Sequence, residues 1–319
     1  MDKIQKYQPY RSLLFNKNDI DFVNKLRPII VVKDTLISWG IIIIAIYIAY
    51  LFKNNNSILI LISLTIGTQI YSLMIIGHDG LHRRLFNKVW QNDIWNDLFI
   101  LGSMGAITRI NRQNHIQHHL RLSLKSDPDR YKYQTSGRNR KLTFILKLTG
   151  LTQIFSSFKN IYLIQNNKKI KKKNIDKAKN SYCLRDIFIL IFWQIFLIYL
   201  LTNIFGYKGY FLFWISPLIF ASSCDMARVF CEHSRPRADI IADKSMRLIN
   251  IKANFFERLI FAPHNINLHA VHHIWPSIPY YNLNKAAKIL DSKIVNNESK
   301  IISMPSYINI IIRFLKYAK

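Results

Sequence analysis

The chain has 319 residues, 50% of them hydrophobic, and a formal net charge of +27. An apolar half with 13% aromatic residues excludes a disordered polybasic chain, because that much apolar surface can bury a core. The three cysteines, Cys183, Cys224 and Cys231, show neither CxxC spacing nor a paired framework, which excludes a disulfide scaffold and reads as reduced, buried or inert thiols.

The N-terminal MDKIQKYQPYRSLLFNKND has no apolar core and no small-residue cleavage site, so no secretory signal is expected. Two nearly unbroken apolar stretches follow, Leu36 to Phe52 and Ser57 to Ile76, separated by Lys53 and three asparagines. Each is free of charge and close to the roughly 20 residues needed to cross hydrocarbon. A second pair, Ile187 to Phe205 and Tyr210 to Phe230, meets at the short turn Gly206 to Gly209 and carries Asp225 and Arg228 only near its end. The expectation is an all-α integral membrane domain over 1–319, with four transmembrane helices in two hairpins and a cap built from 77–186 and 231–319.

Between and after the hairpins, Trp90 to Ile107 is interrupted by Asp93 and Asp97, and Leu142 to Ile164 by Lys147 and Lys159. Charges make spanning costly, so these segments and Ile301 to Tyr317 read as amphipathic helices at the membrane surface. Of the 45 lysines and arginines, all but Lys53 and Lys208 lie on one side of this arrangement. The positive-inside rule makes that side cytoplasmic, together with both termini. Topology thus accounts for the charge without nucleic acid, and the run Lys168 to Lys179 reads as a solvated or headgroup-facing loop.

All ten histidines fall outside the spans and on that same side. His78 and His82, in HDGLH, are four apart, one turn along a helix face. His115, His118 and His119, in HIQHH, and His269, His272 and His273, in HAVHH, each cover about 100 degrees of helix surface at 3.6 residues per turn, so three imidazoles can converge. By composition an HxxHH arises in about 1% of such chains, and two in about one in ten thousand. Eight imidazoles exceed the need of one ion, and structural zinc would close with four ligands, usually including cysteine. Two metal ions fit the count better. A non-catalytic metal-binding or transport protein is the alternative from the residues alone; its ionisable groups would line a path through the spans.

HDGLH at the end of the second stretch, HIQHH after an interfacial segment and HNINLHAVHHIWPSIPYYNL after the fourth resemble the three histidine boxes of the integral-membrane fatty acid desaturase superfamily. The resemblance covers roughly Leu36 to Leu290. It implies two iron ions bound by histidines, dioxygen-dependent oxidation of an unactivated C–H bond in a membrane lipid, and an external electron donor of ferredoxin or cytochrome type with its reductase. The metal ligands it implies are His78, His82, His115, His118, His119, His269, His272 and His273, with His233 of RVFCEH as the ninth. His264 is a further candidate, better suited to hydrogen bonding or to the start of a helix. Where the acyl-CoA branch has an asparagine four residues before the ninth histidine, this chain has Val229, which weighs against an acyl-CoA substrate.

Ligating imidazoles usually donate their second N–H to a carboxylate, for which Asp79, Asp127, Asp129 and Glu232 are candidates. Asp127 and Asp129 in SDPDRY also read as a plain turn. Asn265, four residues before His269, is a candidate polar site residue, and Trp275, Pro276 and Pro279 to Tyr281 read as a helix cap. No haem-binding HPGG, CxxC or GxGxxG segment occurs, so the electron donor is expected to be a separate protein. Within the superfamily an acyl-lipid desaturase is favoured over a carotenoid or lipid hydroxylase or ketolase.

Overall fold

The computed structural model of the chain describes residues 16–122, 124–135, 139–150, 183–234, 249–293 and 302–318. Asn16 opens helix α1 (Lys17–Asn24) with a reciprocal cap on Asp19. Proline at the first position starts α2 (Pro28–Leu51), and the Asn55 side chain caps α3 (Asn56–Leu81) at the Ile58 N–H. At 1.5 Å per residue both exceed the roughly 30 Å of bilayer hydrocarbon. Later come α8 (Leu184–Phe205) and α9 (Ser216–His233).

Among the described residues, the helices at 17–51, 56–81 and 184–205 are long and apolar enough to cross a membrane. Ile43, Ile44 and Tyr47 on α2, with Ile191, Ile195 and Phe196 on α8, turn outward, as a lipid-facing surface requires. The fourth apolar stretch is different. A π turn at Phe211–Ile215 precedes α9, whose Ser222, Asp225 and Arg228 are buried against protein. Helix α3 packs against both α2 and α9. A Cβ on Gly67 would lie 2.6 Å from the Phe220 ring, so the glycine is what permits α3 and α9 to approach this closely.

The Trp90 to Ile107 segment is anchored to the protein by its polar residues, while Trp90, Ile94 and Phe99 face outward. Helix α4 (Val89–Asn96) runs into a π turn, Asp97–Leu101, and a 3-10 turn, Gly102–Met104. Asn92, Asn96 and Asp97 are fully buried. Asn92 donates to the Gly80 carbonyl and accepts from the Leu85 N–H, Asn96 donates to the Gly77 carbonyl, and Asp97 pairs with Arg185 at 3.0 Å. A Cβ on Gly80 would meet Asn96 Nδ2 at 2.2 Å, so glycine is required where this segment crosses the end of α3.

The cap continues with α5 (Thr108–Arg121), whose first N–H is held by Asp97 at 2.7 Å, then α6 (Arg130–Tyr133) and α7 (Arg140–Leu148). The rest of Leu142 to Ile164, and the Lys168 to Lys179 run, lie outside the described residues. After α9 come β1 (Ile249–Ile251), α10 (Phe255–Ile260), α11 (His269–Ile274), α12 (Leu283–Lys293), β2 (Ile302–Met304) and α13 (Tyr307–Tyr317). The parallel pairing of β1 with β2 adds a small sheet to the expected all-α fold. It places Asn250 and Asn267, which bind the start of α11 and the β1 backbone. All three cysteines are free thiols, Cys183 exposed and Cys224 and Cys231 buried.

Candidate metal centre

Four helix ends carry the histidines to one place. His78 lies in the last turn of α3 and His82 caps it; HIQHH lies on α5, His233 ends α9, and HAVHH forms most of α11. The ligand nitrogens of His78, His82, His115, His119 and His272 lie within 4.8 Å of one another, as do those of His118, His233 and His273. His269 joins the second group, its Nε2 3.1 Å from His233 Nε2 and 3.0 Å from His273 Nε2. In the first group His115 Nε2 stands 2.8 Å from His82 Nε2 and 3.0 Å from His119 Nε2. The groups abut where the His119 and His273 rings stack at 4.1 Å.

The electrostatics suit metal ligation. Burial, reinforced by neighbouring histidines, pushes His82, His115, His119, His269, His272 and His273 well below the usual imidazole pKa. Neutral rings keep a lone pair for an ion. His272 is fully buried and neither ring nitrogen has a hydrogen-bond partner, a costly arrangement unless something else binds there. Imidazole nitrogens on one ion, at bonds of about 2.1 Å and near right angles, stand about 3 Å apart. Several contacts here have that spacing, and an all-nitrogen donor set suits a first-row transition metal.

Carboxylates back three of the rings. Asp127 receives His118 Nδ1 at 3.0 Å and is held by the Tyr133 hydroxyl at 2.6 Å and the Asp129 N–H at 2.9 Å. Glu232 lies 3.6 Å from His269 Nδ1, fixed by Arg228 at 2.5 Å and the Tyr307 hydroxyl at 2.8 Å. Asp79 accepts the Tyr280 N–H at 2.6 Å, with His78 Nδ1 3.8 Å away. Asp129 turns toward Lys132 instead, at 3.6 Å.

His264 and Asn265 stand apart. Helix α11 begins only at His269, and the preceding 3-10 turn puts both residues in left-handed backbone, φ 56° and 62°. Counting back along a helix from His269 therefore misplaces Asn265. His264 Nε2 meets Ser72 Oγ at 2.7 Å and its ring packs on Tyr280, while Asn265 accepts from Arg258 and Asn284. Sequence reasoning missed Arg228, Tyr133 and Tyr307, which share no motif with the boxes and reach the site only through folding. A cavity of about 650 Å3 runs from the cap past His78, His115, His118, His233 and His269 into the helices. Val229 is on its wall.

Comparison with known proteins agrees with this geometry. The family described as Fatty acid desaturase matches residues 55–303. The sn-1 acyl-lipid omega-3 desaturase (ferredoxin) of Nostoc sp. (strain 36) is 22% identical over 239 residues, 70% of this chain and 65% of the relative.

Proposed function

Because the chain belongs to the fatty acid desaturase family, we propose that it is a dioxygen-dependent acyl-lipid desaturase using two iron ions. The observation that carries this reading is the convergence of nine histidines as a group of five and a group of four, with both nitrogens of buried His272 lacking a protein partner. His78, His82, His115, His119 and His272 would hold one ion, and His118, His233, His269 and His273 the other. Bound iron would supply the activation of dioxygen needed to take hydrogen from a saturated methylene.

The chain's own groups hold the rings and the substrate. Asp127 fixes the His118 tautomer by accepting a hydrogen bond from its Nδ1–H, and Glu232, itself clamped by Arg228 and Tyr307, lies beside His269. An alkyl chain held in the cavity would lie alongside five of the histidines that line it. Its wall offers Val229 where acyl-CoA enzymes offer asparagine, which favours a chain esterified in a membrane lipid. Four spans, counting the interrupted 210–230 stretch, put both termini and every histidine on the cytoplasmic side. The relative's name specifies ferredoxin; a small acidic carrier of that kind, with its reductase, suits the basic excess of this chain.

Expression in a host with defined saturated lipids and carotenoid precursors, followed by mass analysis of both pools, tests the reading. New double bonds in membrane-lipid acyl chains are expected. An unchanged acyl pool with an oxygenated carotenoid would overturn it.

A further inference from the structure

Three short helices of the cap are joined on the flank of α9. Phe144 of α7 and Phe314 of α13 both pack on Phe230 of α9, with ring centroids 4.3 and 4.8 Å from it and 4.9 Å from each other. Helix α10 meets the start of α13 through buried Glu257, which accepts the Ser306 hydroxyl and, at 3.0 Å, the Ile308 N–H. The other faces of the three helices carry Leu142 and Ile145, Phe255 and Phe256, and Ile308 and Ile312, all exposed. Phe255 and Phe256, at 75% and 71%, stand further out than Ile43, at 64%, on the lipid-facing side of α2. Apolar side chains gathered in this way mark a surface that meets something other than water.

Contacts with the spans set the level of these helices. The Phe261 carbonyl, directly after α10, accepts the Tyr71 hydroxyl at 3.0 Å, and His264 meets Ser72 at 2.7 Å. Tyr71 and Ser72 belong to the last turns of the apolar stretch of α3 that ends at Ile76. The Tyr280 hydroxyl, beside His264, donates to Asp34 at 2.8 Å, just ahead of the apolar stretch of α2 that begins at Leu36. At the end of α7, a Cβ on Gly150 would lie 2.6 Å from the Ile219 carbonyl, within the apolar stretch of α9. The three helices therefore stand where the spans leave the hydrocarbon, at the height of the lipid headgroups.

Charge selects the kind of lipid. Helices α7 and α13 contain no acidic residue, and the only one in α10, Glu257, is buried. Arg140, Lys141, Arg258, Arg313 and Lys316 on these helices are all exposed. On α13 the exposed positions form two adjoining stripes, Ile308 with Ile312 and Asn309 with Arg313, the pattern of a helix lying in the headgroup plane. We infer that α7, α10 and α13 form one lipid-docking face, whose apolar side chains enter the leaflet while its arginines and lysines bind the phosphates of anionic phospholipids above them. The face continues the lipid-facing surface of the spans and braces against the membrane the helix that ends in His233. It goes beyond the desaturase reading and does not depend on it.

The test uses the full-length protein carrying Cys183→Ser, since serine also caps a helix and Cys224 and Cys231 are buried from the label. A nitroxide is attached at Phe256→Cys, at Ile312→Cys or at Ser126→Cys, the last on an exposed turn of the cap, in bilayer discs of phosphatidylcholine and phosphatidylglycerol. Relaxation by oxygen should dominate at the first two positions, and relaxation by a water-soluble nickel complex at the third. Labels at Phe256→Cys and Ile312→Cys that respond to nickel as the Ser126→Cys label does, or that show dipolar broadening from a second copy of the chain, overturn the inference. Lipid preference is read from the motionally restricted fraction of spin-labelled lipid. That fraction should be larger for phosphatidylglycerol than for phosphatidylcholine, with the excess reduced when Arg258→Gln, Arg313→Gln and Lys316→Gln are combined. No excess, or an excess unchanged in the triple variant, overturns the inference likewise. Neither measurement involves turnover, so these failures leave the desaturase reading standing.

Discussion

His264, whose side chain is 16% exposed, and fully buried His272 are both largely removed from water and differ in what the rings touch. His264 is neutral, pushed down to about 4 by burial, and its surroundings complete it: Ser72 at Nε2, the Tyr280 ring against its face and Asp34 4.0 Å from Nδ1. His272 is also neutral and buried, yet its ring nitrogens have no partner, and His78, His119, His269 and His273 each leave Nδ1 unmatched. Burial alone therefore does not mark a ligand. The mark is a set of imidazoles that crowd together while their nitrogens go unsatisfied by protein, since an unmatched buried polar group costs about 1–3 kcal/mol.

The contrast breaks most sharply at His272. His272→Ala should abolish desaturation and lower iron content, while membrane extraction and helical circular dichroism stay as in the parent; metal analysis of the purified variant decides. Retained iron and activity would place His272 with His264. A step smaller is Asp127→Asn, which keeps the shape but weakens the hold on His118 Nδ1. Loss of such a partner costs 10–100-fold in metal affinity, readable by competition with a chelator.

The same comparison shows what the sequence discloses. The boxes are local: three imidazoles within five residues share a helix face whatever surrounds them, so HIQHH and HAVHH are readable before folding. His233 stands alone in RVFCEH and was found through resemblance. His264, read as better suited to hydrogen bonding than to ligation, meets Ser72, whereas Asn265 is placed by counting four residues back from His269, and Pro263 begins a 3-10 turn whose left-handed residues face another way. Asp97 reads as a charge that keeps a helix at the surface, because nothing local foretells that Arg185 and the Thr108 N–H will bury it. Strands of three residues, Ile249–Ile251 and Ile302–Met304, are too short to show alternation, and their pairing partners lie about 50 residues apart.

Two smaller effects sharpen the contrast between the metal centre and its support. Gly80→Ala places a methyl against Asn96 and should destabilise the protein by about 1–3 kcal/mol, seen as a lower midpoint in thermal unfolding. His264→Gln should keep full iron content and cost about 1 kcal/mol near neutral pH. That cost carries a pH signature. The folded His264 titrates at about 4, whereas a free imidazole titrates near 6.5. Between those values the unfolded parent binds a proton that the folded parent does not, so parent stability declines as pH falls from 6.5 toward 4. The gap between parent and His264→Gln should narrow across that window, and a constant gap would contradict the assignment.

The most direct test of the central claim is the metal stoichiometry of the purified protein, set beside that of His233→Ala and His264→Ala. Two irons per chain are expected in the parent and in His264→Ala, with fewer in His233→Ala. A parent holding a single ion, or zinc in place of iron, or a His264→Ala variant that loses iron while His233→Ala keeps it, would contradict the account.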